Sequence, residues 1–421
     1  MLLISGAADQ RTLGMGCFQD LDQAALARPI TKFSRVIDTP ARAVQILDQA
    51  WHQACSPEPG PVHLMFPMDV QRAEVEATGV VRANDFPAQA GPSRNLVAQA
   101  AQALRECSRP LIITGSPVYY AGEGADLIRF AEAFSIPVQT GVWERGIFDA
   151  PSDVFLGVAG AFSGGPDLPG QCDCLILAGM PADYRLNYLQ ETQARVCSLD
   201  RGWGELDHGG GSFQDWLREA AELRDTHRRG IEEAAAKQRQ PSRMHAIDLM
   251  RALEASLPTN ATLVIDAGSV GQWAHQLLAT HRYPSYWLTC GRGGVVGYGI
   301  PGAMAARLAF PDRPVVLLSG DGAFTFTPAE LECAVRQKLH FTAIVADDQC
   351  WGITHSGHMR QFGQSIATQL GPIRFDLLAQ SLGARGFRID NPSRLPAAIA
   401  DGIDSNQVTV LHVPISGGNP V

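Results

Sequence analysis

The amino-acid sequence predicts an α/β protein built from successive doubly wound parallel-sheet domains. Short apolar runs alternate with segments of helical periodicity along most of the chain, and parallel strands need such helical crossovers between them. Glycine and aspartate follow several of these runs, as is typical of loops at the carboxyl ends of strands. The 421 residues also exceed one ordinary hydrophobic core, since domains commonly have roughly 100–200 residues. We therefore expect two or three domains.

The first segment, residues 1–72, is predicted to form about half of an α/β domain. Leu2-Leu3-Ile4 is a short apolar run that ends in Ser5-Gly6, which indicates a buried strand followed by a loop. A helix is expected over 39–53, where apolar residues recur at helical spacing, and a second buried strand over 61–66. Because the sequence begins within a strand, it predicts an open sheet whose edge needs covering.

Two further domains are predicted beyond a polar, proline-containing linker at 72–94. In the middle domain, 93–225, we expect helices at 95–107 and 124–134 and strands at 110–115, 136–140, 174–179 and 195–200. The charged segment 225–239 resembles a second linker. In the last domain, 240–421, we expect strands at 262–266, 286–290, 314–319, 341–346 and 408–413.

Composition and charge favour a small-molecule enzyme. A formal net charge of −9 argues against nucleic acid or an anionic membrane as the main partner. The nine cysteines are scattered without a CxxC pair, which favours reduced thiols over zinc or disulfide frameworks. The amino terminus lacks a signal-peptide pattern, and no stretch approaches the roughly 18–20 apolar residues of a membrane span. We expect a cytoplasmic protein.

Acidic residues follow two successive predicted strands of the last domain. Gly320-Asp321-Gly322-Ala323 comes after one strand, and Asp347-Asp348 comes after the next. Because the carboxyl ends of parallel strands meet at one edge, we expect these residues to converge there, together with Asp266. Carboxylates suit Mg²⁺, and glycines let backbone N–H groups approach a phosphate closely. The sequence thus predicts a metal-diphosphate site; the alternative is a simple turn and a helix cap.

With these two motifs the sequence resembles thiamine-diphosphate-dependent enzymes of the acetolactate synthase and benzaldehyde lyase type, whose second motif is usually Asn-Asn. The resemblance implies thiamine diphosphate as cofactor, and it implies Mg²⁺ bound by the side chains of Asp321 and Asp348 and the backbone carbonyl of Cys350. It also implies a partial pyrimidine-binding domain, a middle Rossmann-like domain and a diphosphate-binding domain. Asp in place of Asn keeps an oxygen ligand but adds a negative charge beside the diphosphate.

Other segments extend the resemblance over nearly the whole chain. In relatives, the position of Gln19 faces the reacting end of the cofactor; a loop or helix-cap amide is the alternative. Segment 291–299 resembles the one that bends the cofactor, with the Gly294 carbonyl accepting from its 4′-amino group and Val296 supporting the bend where many relatives have Met. The cofactor-binding residues that we expect are Asp266, Gly268, Ser269, Gly294, Val296, Gly320, Gly322, Ala323 and Ile353.

The glutamate that relays a proton in the family has no counterpart that we can name. It hydrogen-bonds N1′ of the cofactor from the first half of the pyrimidine domain, whereas no glutamate precedes Glu58 here. We expect either a truncated start, which is favoured, or a complementary chain that supplies the missing half-domain. Gln19 is then the one catalytic candidate, and this chain alone should show little turnover. A full-length form should be at least a homodimer.

The predicted activity is that of a carboligase or decarboxylase acting on 2-oxo acids or aldehydes. The middle domain holds FAD in some relatives and nothing in others, and no feature of the sequence decides between these. An alternative is an NAD(P)-dependent oxidoreductase, since Gly291-x-Gly293-x-x-x-Gly297 follows a predicted strand, but this leaves Asp347-Asp348 unexplained. A second alternative is a non-catalytic cofactor-binding subunit, which the absent glutamate favours.

Overall fold

The computed structural model describes residues 1–56, 59–75, 91–160, 166–190, 192–239, 243–278, 287–291, 293–416 and 418. The chain divides into two compact units, Met1–Gly91 and Pro92–Val421. Predictions that involve Glu58, Tyr286, Arg292 and residues 76–90 of the linker lie outside the described residues. Within the described ranges, no helix is both long enough and apolar enough to cross a bilayer.

The first unit contains a three-stranded parallel sheet in the order β1-β3-β2. Its elements are β1 (Leu2–Ala7), α1 (Gln23–Ala27), β2 (Phe33–Val36), α2 (Ala43–Cys55), β3 (Val62–Pro67) and α3 (Met68–Arg72). The apolar stripe of α2, which includes Ile46 and Ala50, packs on Val62 and Leu64 of the central strand. The strands β1 and β3 and the helix α2 were predicted, but β1 was expected to be buried, whereas Leu3 and Ile4 are each 50% exposed. Strand β2 was not predicted, because Phe-Ser-Arg-Val is half-buried and has no apolar run.

A five-stranded parallel sheet in the order β6-β5-β4-β7-β8 forms the first part of the second unit. Its strands are β4 (Pro110–Thr114), β5 (Val138–Gly141), β6 (Phe155–Ala159), β7 (Cys174–Ala178) and β8 (Arg195–Ser198). The surrounding helices are α4 (Arg94–Glu106), α5 (Ser116–Ala121) and α6 (Gly124–Phe134). The chain runs outward from β4 in one direction and then returns to fill the other, which is the doubly wound order that we expected.

The charged segment that was predicted to be a linker is helical. Residues 225–238 form the second half of α7 (Gln214–Gln238), a helix that the sequence analysis did not predict. Its charges are spaced for pairing along a helix, as in the ion pair between Arg228 and Glu232, where the nitrogen lies 3.8 Å from the oxygen. Ile231 and Ala235 on the same helix are buried, so one face packs while the other is solvated.

The last sheet has seven described parallel strands in the order β11-β10-β12-β13-β15-β14, with β9 paired to β15. The strands are β9 (Met244–His245), β10 (Thr262–Ile265), β11 (Trp287–Leu288), β12 (Val315–Gly320), β13 (Thr342–Asp347), β14 (Arg385–Arg388) and β15 (Thr409–Ser416). The helices are α8 (Ala246–Ser256), α9 (Ser269–Leu277), α10 (Gly299–Ala309), α11 (Asp321–Phe324), α12 (Glu330–Arg336), α13 (Gly352–Phe362), α14 (Phe375–Ser381) and α15 (Leu395–Asp404).

Both faces of this sheet are buried, which explains the continuous apolar runs of its central strands. Val316 and Leu318 of β12 belong to one core cluster, together with residues of α8, α9 and α15. Val315 and Leu317 point the other way, into a cluster with residues of α10, α12 and α14. We call these the α9 face and the α14 face of the sheet.

Candidate functional site

A cavity of about 230 Å³ lies at the carboxyl ends of β10, β12 and β13. Strand β12 pairs in parallel with β10 on one side and with β13 on the other, so the three strands end at the same edge. Ten residues named from the sequence line this cavity: Gly268, Ser269, Val296, Gly320, Asp321, Gly322, Ala323, Asp348, Cys350 and Ile353. The structure therefore brings together most of the expected site.

Seven further residues line the cavity and were not among the cofactor-binding and metal-binding residues that we expected. These are Ala267, Val270, Ala346, Trp351, Gly352, Thr354 and Ile415. Trp351 and Gly352 directly follow the expected metal residues, and their position could have drawn attention to them. A Cβ added to Gly322 would lie 2.7 Å from the Trp351 ring, so the ring packs where only glycine leaves room. Ile415 comes from β15, and nothing in the sequence marked it.

Two acidic side chains in this cavity are buried, and few neighbouring groups stabilise their charged forms. Burial raises the pKa of Asp348 to about 6, although its oxygen accepts a 3.1 Å hydrogen bond from the Cys350 backbone N–H. Burial also raises the pKa of Asp321, and repulsion from Asp348 adds to this effect. Arg243 lowers the pKa of Asp348 only partly, since its own hydrogen bonds go to Gln349 and Ile415. The charged forms of both acids thus favour a cation between them.

The neighbouring Asp347 points away from the cavity. Its Oδ2 lies 2.7 Å from Nε2 of His412, and its Oδ1 accepts a hydrogen bond from the Gln349 backbone N–H. Burial opposes ionisation of Asp347, but the hydrogen bond and charge of His412 outweigh it and lower the pKa.

Two helices begin at the cavity without a side-chain cap from the described residues. Ser269 and Val270 open α9, and Gly352, Ile353 and Thr354 open α13. The first N–H groups of a helix have no partner within it and carry partial positive charge, so they attract anions. The buried hydroxyl of Ser269 has no hydrogen-bond partner among the described residues. This rim of the cavity is suited to a phosphate.

Asp266 and Gly294 are not among the residues that line the cavity. The buried Asp266 carboxylate accepts 3.0 Å hydrogen bonds from the backbone N–H groups of Gly297 and Gly299. Asp266 therefore holds the loop that carries Val296 into the cavity. Gly294 is exposed and has φ +60, with nothing within 4 Å of an added Cβ.

Gln19 lies in the first unit, on an exposed loop. Its φ of 58 places it in the left-handed region, which is uncommon for a residue other than glycine. Asp20 organises this loop, because its carboxylate accepts 2.9 Å hydrogen bonds from the N–H groups of Gly14 and Gly16. Those hydrogen bonds lower the pKa of Asp20.

Within the described part of the chain, no three His, Cys, Asp or Glu side chains are grouped so as to hold a metal ion by themselves. A cation at this cavity would need backbone carbonyl or ligand oxygens to complete its coordination, since Mg²⁺ prefers six oxygen ligands. The Cys350 carbonyl was expected in that role, and Cys350 lines the cavity. Two carboxylates beside a phosphate-binding rim fit a metal bound together with an anionic cofactor.

Comparison with known families agrees with this geometry. Residues 266–413 match the thiamine pyrophosphate enzyme C-terminal TPP-binding domain, and residues 97–201 match the central domain of the same enzymes. This chain belongs to the thiamine-diphosphate-dependent enzymes of the acetolactate synthase type. The first match contains both acidic motifs and most of the cavity lining.

Relatives of this thiamine-diphosphate enzyme include synthases and lyases. A probable acetolactate synthase of Mycobacterium bovis is 28% identical, over 98% of this chain and 79% of the relative. The acetolactate synthase isozyme 2 large subunit of Escherichia coli is 26% identical, over 99% of this chain and 79% of the relative. The 2-hydroxyacyl-CoA lyase 2 of Homo sapiens is 28% identical, over 92% of this chain and 70% of the relative.

Proposed function

We propose that this chain is a thiamine-diphosphate-dependent carboligase or lyase that acts on 2-oxo acids or aldehydes and binds its cofactor with Mg²⁺ in the cavity at the ends of β12 and β13. The observation that carries the proposal is the combination of two buried acids and two open helix amino termini around one cavity. The two acidic side chains attract a cation, whereas the helix amino termini attract an anion. A magnesium diphosphate meets both needs.

The side chains of Asp321 and Asp348 and the carbonyl of Cys350 would bind the Mg²⁺. Hard oxygen ligands suit this ion, which keeps several positions for water or phosphate oxygens. With the cation present, the repulsion that raises the pKa of Asp321 is relieved, so both carboxylates are ionised at neutral pH.

The diphosphate would lie against the start of α9, where Gly268 precedes the free hydroxyl of Ser269. Gly268 has φ +123, a conformation that side chains rarely adopt, and this brings backbone N–H groups to the rim. Gly320 lies close to the same loop, since a Cβ added there would be 3.2 Å from the Ala267 carbonyl. Val296 and Ile353 supply apolar lining, and Gly294 is assigned to the 4′-amino group by family resemblance alone.

When bound, thiamine diphosphate supplies a nucleophilic carbon and an electron sink for making or breaking a bond next to a carbonyl group. The chain's own contribution is to orient the cofactor and to exclude water through Val296, Trp351 and Ile353. In the family the proton relay uses a glutamate of the pyrimidine domain, and no glutamate precedes Glu58 in this sequence. We propose that the relay requires a segment that these 421 residues do not contain and that the active form is at least a dimer.

Calorimetric titration of thiamine diphosphate into the chain, with and without Mg²⁺, tests this proposal. We expect binding that requires Mg²⁺ and that Asp321→Ala abolishes, because an unscreened diphosphate is repelled by the remaining acid. Asp312→Ala is the matched control, since Asp312 is an exposed aspartate of the same sheet domain outside the cavity. Equal affinity without Mg²⁺, or unchanged affinity in Asp321→Ala, would contradict the proposed site.

A further inference from the structure

A second set of buried charged groups lies on the α14 face of the last sheet. Successive residues of a strand point to opposite faces, so Asp347 shares the face of Val345, whereas Ala346 and Asp348 point toward the cavity. His412 of β15 and Asp376 of α14 are on the same face as Asp347. All three side chains are almost fully buried.

His412 lies between two carboxylates. Its Nε2 is 2.7 Å from Oδ2 of Asp347, and its Nδ1 is 3.4 Å from Oδ1 of Asp376. An ionised carboxylate oxygen accepts hydrogen bonds, so each ring nitrogen of His412 faces an acceptor. The edge-on contact with Phe375, at 5.4 Å between ring centroids, fixes the ring plane in this orientation.

The array ends at the protein surface. Arg374, whose side chain is 50% exposed, donates through Nε and Nη2 to the two oxygens of Asp376, at 2.9 Å and 2.6 Å. Arg374, Asp376, His412 and Asp347 therefore form one continuous hydrogen-bonded array. Because Asp376 is already paired with Arg374, the main partner of His412 is Asp347, at the shorter distance of 2.7 Å.

Asp347 needs such a partner because it is an acid where the family pattern has an asparagine. A buried carboxylate without a partner costs far more free energy than a buried neutral amide does. Asp347 also accepts a 3.1 Å hydrogen bond from the Gln349 backbone N–H, so its placement fixes the loop that carries the proposed ligands Asp348 and Cys350. His412 has no contact with the cavity itself.

We propose that His412 is a positioning residue for the Mg²⁺ site: it holds the Asp347 carboxylate on the α14 face, away from the cation, and through the hydrogen bond from the Gln349 N–H to Asp347 it orients the loop that carries Asp348 and Cys350. The inference rests on the proposed function, because it concerns the same site. Partners that orient metal ligands from outside the coordination sphere typically change metal affinity by roughly 10–100-fold when they are removed.

The test measures Mg²⁺ affinity in the presence of thiamine diphosphate, by calorimetry, for the full chain and its variants. We expect His412→Ala and the milder His412→Gln to weaken Mg²⁺ binding by roughly 10–100-fold. Adding Asp347→Asn to His412→Gln should restore the affinity to within about threefold, because an amide needs no cationic partner. His208→Ala is the control, since His208 is fully buried in the middle sheet domain.

The outcomes separate this inference from the proposed function. No binding by the unaltered chain overturns the proposed site and this inference with it. Normal affinity in both His412 variants overturns this inference alone. A double variant that binds as weakly as His412→Gln also overturns it, because a role in packing alone predicts no rescue. Weakened affinity in His208→Ala, of the same size, would show a general loss of stability instead.

Discussion

Replacing Asp348 by asparagine should stabilise the ligand-free protein, and increasingly so as the pH rises. Burial raises the pKa of this carboxyl from 3.8 to about 6. Because the folded state binds the proton more tightly than the unfolded state, the cost of ionising Asp348 is absent below about pH 3.8 and is fully present above about pH 6. That difference in pKa corresponds to about 3 kcal/mol at neutral pH. Asparagine keeps an oxygen for the Cys350 N–H and avoids the cost.

Thermal unfolding in EDTA between pH 4 and pH 8 measures this effect. In a domain of roughly 150–250 residues, 1 kcal/mol shifts Tm by roughly 2–4 °C, so Asp348→Asn should gain roughly 6–12 °C at pH 8 and almost nothing at pH 4. Asp312→Asn, at an exposed position, should show no such trend. Mg²⁺ with thiamine diphosphate should reduce the gain, because a cation stabilises the ionised acid. A gain that does not change with pH would refute the reasoning.

Three further predictions test other parts of the molecule. Gly352→Ala should weaken cofactor binding by roughly tenfold in calorimetry, because its Cβ would crowd Ser269 and Asp348, whereas Gly357→Ala on the same helix has open space and should bind normally. Arg185→Met should lower stability by about 3–5 kcal/mol in denaturant unfolding, since this buried arginine pairs with Glu144 and Asp183, and a loss below about 1 kcal/mol would contradict this reasoning. The chain alone should convert pyruvate and benzaldehyde at least 10²–10⁴-fold more slowly than after addition, in trans, of a relative's amino-terminal segment with its glutamate; substantial turnover without it would mean that another residue replaces that group.

The strands of the last sheet could be predicted because both of their faces are buried. Val315–Gly320 and Thr342–Asp347 are almost wholly apolar up to the residues that open the site. The short strand Arg385–Arg388 was missed, because it is at the sheet edge and carries an arginine at each end. The strand Phe155–Ala159 was missed as well, and its central glycine weakens the pattern.

The helix over 225–238 was missed for a different reason. Dense charge was taken to indicate a linker, but a long solvated helix also carries dense charge, and a helix is recognised by buried residues at helical spacing. Ile231 and Ala235 were the signal in this segment. Composition alone therefore did not reveal the helix.

The cavity was found from the sequence because its residues lie at the ends of strands, where short motifs are contiguous in the chain. The contact between His412 and Asp347 on the α14 face was not found, because these residues meet only across neighbouring strands. His412 reaches Asp347 from β15, far along the chain.

The alternation of side chains along a strand nevertheless gave one usable constraint on the site. Adjacent residues at a strand end point to opposite faces, so Asp347 and Asp348 are not equivalent, and only Asp348 was expected at the metal. The extra acid then had to be buried on the opposite face, and such an acid requires a cationic partner there. A departure from Asn-Asn to Asp-Asp thus predicts a compensating histidine, lysine or arginine on the next strand, and β15 supplies one.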